Sequence, residues 1–458
     1  MAGNAVLAKP AEATPIIATL AVELLHKAGV PRAALQLLPG LGPVVGAALA
    51  SDPRVAGMVF TGSTATAQTI ARRMADHLTP GAPFVAETGG LNAMIVDSTA
   101  LPELAVRDIV ASAFRSAGQR CSALRCLYLQ EDIAPHVIEM IKGAMDELVV
   151  GDPWQLSTDV GPVIDARARD GIAAYLAAHR DRVIHQIKAP VTGTFIAPTM
   201  LRVSGIAELE REIFGPVLHV ATFRAEDLSQ VVTDINARGY GLTFGLHTRI
   251  DARVQAVSEA VHAGNIYVNR NQIGAVVGSQ PFGGEGLSGT GPKAGGPNYL
   301  PRFFAPDLPP VRGHDWPAAP LPAIPATEPR RIQERLMPGP TGELNRLSLI
   351  SRHAILCLGP GPAAVAAQVA AVARLGGHAV AATGAPDRRA LEQAQNLSAA
   401  LWWGDAETAR ALAQALARRD GPILPLITAM PDPAHAAHER HLCVDTTAAG
   451  GNAALLAG

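Results

Sequence analysis

Short apolar runs separated by polar, turn-rich stretches mark the first hundred positions. Ala5–Ala8, Leu35–Leu38, Met58–Phe60 and Met94–Val96 are each bounded by turn-forming residues. Between the first two runs, Ile17, Leu20, Ala21, Leu24 and Ala28 recur at helical spacing. Thr14 reads as the cap of that helix, Pro15 as its first residue and Gly29 as its stop. Short buried strands alternating with helices predict a parallel, doubly wound sheet. The α/β pattern continues from residue 99 to about 265. A helix is predicted over Glu103–Ala117, ending just before the polar loop Gly118-Gln119-Arg120-Cys121.

The pattern then changes character. Residues 266–304 carry Gly274, Gly278, Gly283, Gly284, Gly286, Gly289 and Gly291, which predicts a set of tight loops. Eight prolines between Pro306 and Pro329 predict an extended connection. Beyond Leu347 a second α/β unit is predicted, with a strand at Ala354–Leu358, a helix at Ala363–Leu375 and a strand at His378–Ala382. Gly359-Pro360-Gly361-Pro362 follows the first of these strands and reads as a structural turn.

At 458 residues the chain is too long for one ordinary core. Hydrophobic residues make up 48% and charged residues 17%, a balance suited to large buried interfaces. The net charge of −2 gives no electrostatic footprint for nucleic acid, and no basic run suggests a membrane surface. No apolar stretch is long enough to span a bilayer. Cys121, Cys126, Cys357 and Cys443 show no metal-ligand spacing, so no metal is expected. So few cysteines in so long a chain, and the absence of a signal-peptide pattern, point to reduced thiols and a cytoplasmic location.

The candidate chemistry lies in four short segments: Ala86-Glu87-Thr88-Gly89-Gly90, the loop around Cys121, Glu212-Ile213-Phe214-Gly215-Pro216, and Pro281-Phe282-Gly283-Gly284. A thiol, a carboxylate and glycine-lined loops are the parts of a covalent aldehyde oxidation. Arg120 and Arg125 are expected to favour the thiolate of Cys121. Cys126, in the apolar run Leu124–Leu129, is the better candidate for a structural thiol. The turn Phe60-Thr61-Gly62-Ser63-Thr64 links a strand to a helix whose first N–H groups could face a pyrophosphate. An ordinary helix cap at Ser63 is the alternative.

With these residues in view, the chain resembles the aldehyde dehydrogenase superfamily. Within it, the chain resembles the L-glutamate γ-semialdehyde (1-pyrroline-5-carboxylate) dehydrogenase module of the bifunctional proline utilization proteins. The resemblance implies Cys121 as the nucleophile and Glu87 as the general base for thioester hydrolysis. It implies NAD as the cofactor. Lys9 and Glu12 would meet the adenosine ribose, Gly62 and Ser63 the pyrophosphate, and Glu212 and Phe214 the nicotinamide ribose and ring. It implies a small-molecule substrate whose α-carboxylate is anchored by the N–H groups of Gly274 and Ala275, with Ser122 and Phe282 as further contacts. A nest of backbone donors suits a compact anion.

The domains expected are a partial NAD-binding domain (1–98), a catalytic domain with its substrate-anchor loop (99–304), a proline-rich linker (305–345), and a structural C-terminal domain with a tail motif (346–458). The last resembles a degenerate aldehyde-dehydrogenase-like domain, whose tail matches Asp445-Thr446-Thr447-Ala448-Ala449-Gly450-Gly451-Asn452. The family's first strand, its Pro-Trp-Asn turn and the following helix have no counterpart here, so half the oxyanion hole is expected to be missing. On that basis the chain reads as a fragment that folds poorly alone. A noncatalytic piece needing an N-terminal complement is the alternative. A proline dehydrogenase module is the implied partner, and homo-oligomerisation is left open.

Overall fold

The computed structural model describes residues 2–310, 313 and 316–447. Of the tail motif, residues 448–452 lie outside the described residues. The four apolar runs near the start are strands, β1 (Val6–Ala8), β2 (Leu35–Leu37), β3 (Met58–Thr61) and β5 (Ala93–Val96), and a further strand, β4 (Phe84–Glu87), lies between the last two. β1 pairs with β2 and β3 with β4, all parallel, but the two pairs form separate sheets. The helix between β1 and β2 runs Pro15–Lys27, with Pro15 in its first turn, while the Thr14 hydroxyl makes no cap bond. No residue of this helix is buried, and Ile17 and Leu24 of its apolar stripe are 69% and 65% exposed.

β10 (Tyr240–Gly241) and β13 (Glu285–Gly286) form a separate antiparallel pair, and from β5 onward the chain builds a ten-stranded sheet. Its further strands are β6 (Cys126–Gln130), β7 (Val183–Gln186), β8 (Thr199–Arg202), β9 (Val217–Phe223), β11 (Thr243–His247), β12 (Asn265–Val268), β14 (Arg331–Met337), β15 (Glu343–Ser351) and β20 (Ala437–Asp445). The order is β14-β15-β20-β12-β11-β5-β6-β9-β8-β7. The centre, β20 through β8, is parallel.

The two-residue period of a strand assigns the faces. On β5, Met94 and Val96 join a core with the helices Pro102–Phe114 and Ala134–Asp146, through Ile109, Val137, Ile141 and Met145. Ala93 and Ile95 join the opposite core with Val231, Ile235, Val257, Leu442 and Val444. Both faces are covered, so β5 reads as a continuous apolar run rather than an alternating one.

The segment expected as a linker up to residue 345 contains β14 and the start of β15, and both belong to this sheet. The smaller C-terminal unit therefore lies between β15 and β20. It is a four-stranded parallel sheet, β17-β16-β18-β19, formed by Ala379–Ala381, Ala354–Cys357, Leu397–Leu401 and Leu426–Ile427. Its turn Gly359-Pro360-Gly361-Pro362 is structural. Buried Gln368, on the helix Pro362–Arg374, donates to Gly359 O and accepts from Gly359 N, each at 2.9 Å. Among the described residues no helix is long and apolar enough to cross a membrane.

Candidate active site

The helix expected over Glu103–Ala117 ends at Phe114. Ser116, Ala117 and Gly118 then adopt positive φ values of 55°, 52° and 65°, which reverse the chain toward Cys121. Gly118 is required there, because a Cβ at that position would overlap the carbonyl group of Gly215. Buried Asn92, just beyond β4, holds the loop from the other side. Its Nδ2 donates to Cys121 O at 2.6 Å and Ala123 O at 2.9 Å, and its Oδ1 accepts from Thr243 N at 3.2 Å. Cys121 is half-buried, whereas Cys126 is fully buried within β6.

The arginines do not act as expected. Arg125 is 1% exposed and spends its guanidinium on structure: Nη2 donates to Glu212 Oε1 at 2.9 Å and to Arg120 O at 3.1 Å, and Nη1 donates to Gly118 O at 2.8 Å. Arg120 Nε donates to Ser116 Oγ at 3.1 Å. Burial, with Glu212 and Glu87 adding negative charge, pushes the Cys121 thiol above its ordinary range. Burial thus favours the neutral thiol, while Arg125 is engaged by Glu212.

Glu87 ends β4. Its Oε2 accepts from Gly284 N at 3.0 Å, and its Oε1 is shut off from solvent with no hydrogen-bond partner among the described residues. Burial raises its pKa to about 8, opposed by the Gly284 N–H and by Lys293. Glu212 is also raised by burial, against the pull of Arg125. A Cβ on Gly89 would overlap Glu212 Oε2, and one on Gly283 would lie 2.6 Å from Glu87 Oε1. Gly89 thus lets the backbone close on Glu212, and Gly283 lets it close on Glu87.

Lys9 and Glu12 come together after β1, with Lys9 Nζ donating to Glu12 Oε1 at 3.2 Å. Backbone hydrogen bonding, including the Gly42 N–H, and Lys9 hold Glu12 down at about 2. At the end of β3, a Cβ on Gly62 would run into the ring of Phe60. Ser63 caps the helix Thr64–His77, accepting from Thr66 N at 3.2 Å. Phe214 is 45% exposed, its ring centroid 5.3 Å from the Arg125 guanidinium carbon. Gly274 (φ 73°) and Ala275 sit on a surface loop, and a Cβ on Gly274 would lie 3.7 Å from Arg120 Nη1. A cation therefore borders the loop expected to hold a carboxylate. Ser122 is buried, and its carbonyl accepts from Thr243 Oγ1 at 3.2 Å and Gln272 Nε2 at 3.3 Å. Phe282 is half-buried and pairs its backbone with Ala294.

Sequence reasoning passed over Asn92, Lys293 and the Arg125–Glu212 pairing. Lys293 was detectable in principle as a cation in an otherwise glycine-rich run. The Arg125–Glu212 contact spans 87 positions and left no local signal.

The model of the "Aldehyde dehydrogenase family" matches residues 1–306. The bifunctional protein PutA of Escherichia coli is 42% identical over 524 residues, covering 99% of this chain and 40% of that protein. Among solved structures, a variant of proline utilization A from Bradyrhizobium japonicum superposes with a TM-score of 0.64 at 55% identity, covering 66% of this chain and 31% of that one. A 1-pyrroline-5-carboxylate dehydrogenase from Thermus with bound NAD superposes with a TM-score of 0.61 at 36% identity, covering 66% of this chain and 59% of that one. The chain thus spans well under half the length of the bifunctional relatives it matches.

Proposed function

Because the chain belongs to the aldehyde dehydrogenase family, with its fold, we propose that it oxidises L-glutamate γ-semialdehyde to L-glutamate with NAD. The observation that carries this reading is the convergence of the Glu87 carboxylate and the Arg125-clamped Glu212, each with a glycine packed against it, on the half-buried Cys121 thiol, on which both charges bear. Cys121 Sγ, once deprotonated, adds to the aldehyde carbon to give a thiohemiacetal. The Cys121 backbone N–H faces the developing oxyanion, a donor of a kind worth about 3–4 kcal/mol in comparable sites. NAD, held by Lys9, Glu12 and the turn at Gly62 and Ser63, would supply the hydride acceptor needed to take this adduct to the thioester level. Glu87 then takes a proton from water, the hydroxide attacks the thioester carbonyl, and the C–S bond breaks to release acid and thiol.

The residues present fit the cofactor. Lys9 and Glu12 offer an ammonium and an ionised carboxylate to a ribose diol, and an unphosphorylated 2′-hydroxyl suits Glu12 better than a 2′-phosphate. The helix start at Ser63 faces an exposed turn, as a pyrophosphate requires. Glu212 and the 45% exposed Phe214 both pack against Arg125, and there they would meet a nicotinamide ribose and ring. The Gly274–Ala275 loop, with Arg120 beside it, would hold the substrate's α-carboxylate, and Ser122 and Phe282 would flank the aldehyde arm. A proline dehydrogenase module, as the resemblance implies, would supply the semialdehyde.

The test is NAD reduction by the semialdehyde. Cys121→Ala should abolish it, while Cys126→Ala, which alters only a buried thiol, should retain it. Retained turnover in Cys121→Ala would overturn the assignment.

A further inference from the structure

Lys293 is 2% exposed, yet it carries a charged group into the wall of the cleft. Its ammonium donates to Asn265 Oδ1 at 2.6 Å and to Gly283 O. Its backbone N–H donates to Glu439 Oε2 at 2.7 Å, and Glu439 Oε1 accepts from Asn298 Nδ2 at 2.9 Å. Gly283 separates Lys293 from Glu87: a Cβ there would lie 2.6 Å from Glu87 Oε1 and 3.2 Å from Lys293 Cα. The cation is thus fixed one residue's thickness behind a carboxylate whose Oε1 is enclosed and unpartnered. Asn265 also accepts from Gly283 N at 3.3 Å, so one amide oxygen fixes both the ammonium and the turn against Glu87.

We infer that Lys293, anchored by Glu439 of the C-terminal strand β20, is a positioning residue for Glu87: its fixed positive charge keeps the buried carboxylate ionisable, and so competent to take a proton from water. The inference rests on the assignment of Glu87 as the base in the proposed reaction. Without a nearby cation, burial and the Glu439 anion would both hold Glu87 protonated. Burial lowers Lys293 itself to about 8, so the pair titrates in one range. The other charged or titratable groups bearing on the pair are Glu285, Arg440 and His441 around Lys293, and Cys121 and Tyr299 around Glu87. None of these is a second cation beside the enclosed Oε1. The hydrogen bonds of the Lys293 ammonium go to neutral acceptors, the Asn265 amide and the Gly283 carbonyl, while Glu439 holds the backbone N–H.

The experiment is an infrared titration of the full chain, with the Glu87 carboxyl band assigned by its loss in Glu87→Gln. In Lys293→Met the Glu87 midpoint should move up by about 1–3 pH units, as expected on losing a close opposite charge. Lys293→Gln still donates to Asn265 and Gly283 but lacks the charge. It should shift equally, and it keeps the test open if Lys293→Met does not fold. Where turnover is measurable, the NADH burst should persist in both variants while the pH profile of steady-state turnover moves alkaline with the carboxyl midpoint. An unmoved midpoint in a cooperatively folding variant overturns the inference, as does a normal midpoint in Lys293→Gln alone, which would show that hydrogen bonding suffices. The catalytic reading fails on different evidence, retained turnover in Cys121→Ala, so the two failures are distinguishable.

Discussion

At the scale of single residues, opposing effects on one carboxyl decide what the cleft can do. Burial pushes Glu87 up to about 8, while the Gly284 N–H and Lys293 pull it down. A general base must be ionised to accept a proton, so thioester hydrolysis should accelerate as pH rises toward 8 and level off above it. Replacing Glu87 by Gln should leave a burst of NADH but cut steady turnover by about 10²–10⁴-fold. Stopped-flow against steady-state rates checks this, and equal loss of both phases would move Glu87 to thiol activation instead. The stability sign is the reverse of the usual carboxylate case. The folded pKa exceeds the unfolded value of 4.5, so the native state holds the extra proton, and Glu87 costs stability increasingly as pH rises from 4.5 through 8.

At the scale of elements, the loop Gly283–Gly296 is held by β20, which lies some 150 residues away in sequence. Arg440 clasps Glu285 in a buried two-point ion pair, Nη2 to Oε1 at 2.7 Å and Nε to Oε2 at 3.0 Å, while Glu439 holds Lys293. Arg440→Met would leave Glu285 buried without its main partner, a loss of about 3–5 kcal/mol by urea unfolding. Arg440 and His438 hold Glu285 well below the usual carboxylate range despite its burial. A depressed folded pKa contributes stability above the unfolded value and loses it as pH falls below about 4.5. The acid limb of the stability curve should therefore be steeper in the unmodified chain than in Arg440→Met. Equal slopes would show that the pair contributes little.

At the scale of the whole molecule, the C-terminal segment is a structural part of the large sheet. β20 pairs in parallel with β12, Asn265–Val268 against His441–Val444, and Leu442 and Val444 complete the core under β5. β12 also carries Asn265, which fixes Lys293. Leu442→Ala should cost about 2–5 kcal/mol, as buried leucine truncations do. If the strand is integral, amide exchange should quicken at residues 265–268 as well as at the mutated strand. Loosening confined to β20 would mean that the C-terminal segment is only laid against the sheet. The smaller unit, inserted between β15 and β20, touches the amino-terminal helix Thr64–His77 with its own helix Ala406–Arg418, where Arg410 donates to the Asp76 carbonyl at 2.8 Å. It contributes none of the candidate site residues.

Much of this was written in local pattern. Apolar runs between turn residues placed β2, β3 and β5 to within a residue or two, because strand formation there follows from side chains on neighbouring positions. The Ser63 cap was legible for the same reason, its partner Thr66 lying three positions on, whereas Lys9 and Glu12 were brought together only by the family resemblance. Cys121, Glu87, Glu212 and the glycine turn at 283–284 could be named as candidates from residue type and spacing. Other features depended on distance. The helix before Cys121 was read three residues too long, because its end is set by the approach of Gly118 to Gly215 rather than by any breaker within it. Arg125 was expected to serve the thiol, but Glu212 takes it, and only the folded chain brings that carboxylate within 2.9 Å. β14 and β15 lay hidden behind a run of prolines: β14 pairs only with β15, and β15 is tied into the sheet by β20, which comes about a hundred residues later. Composition and spacing determined which chemical groups this protein carries, and tertiary structure decided which of them are charged, since burial and partners far along the chain set every ionisation in the cleft.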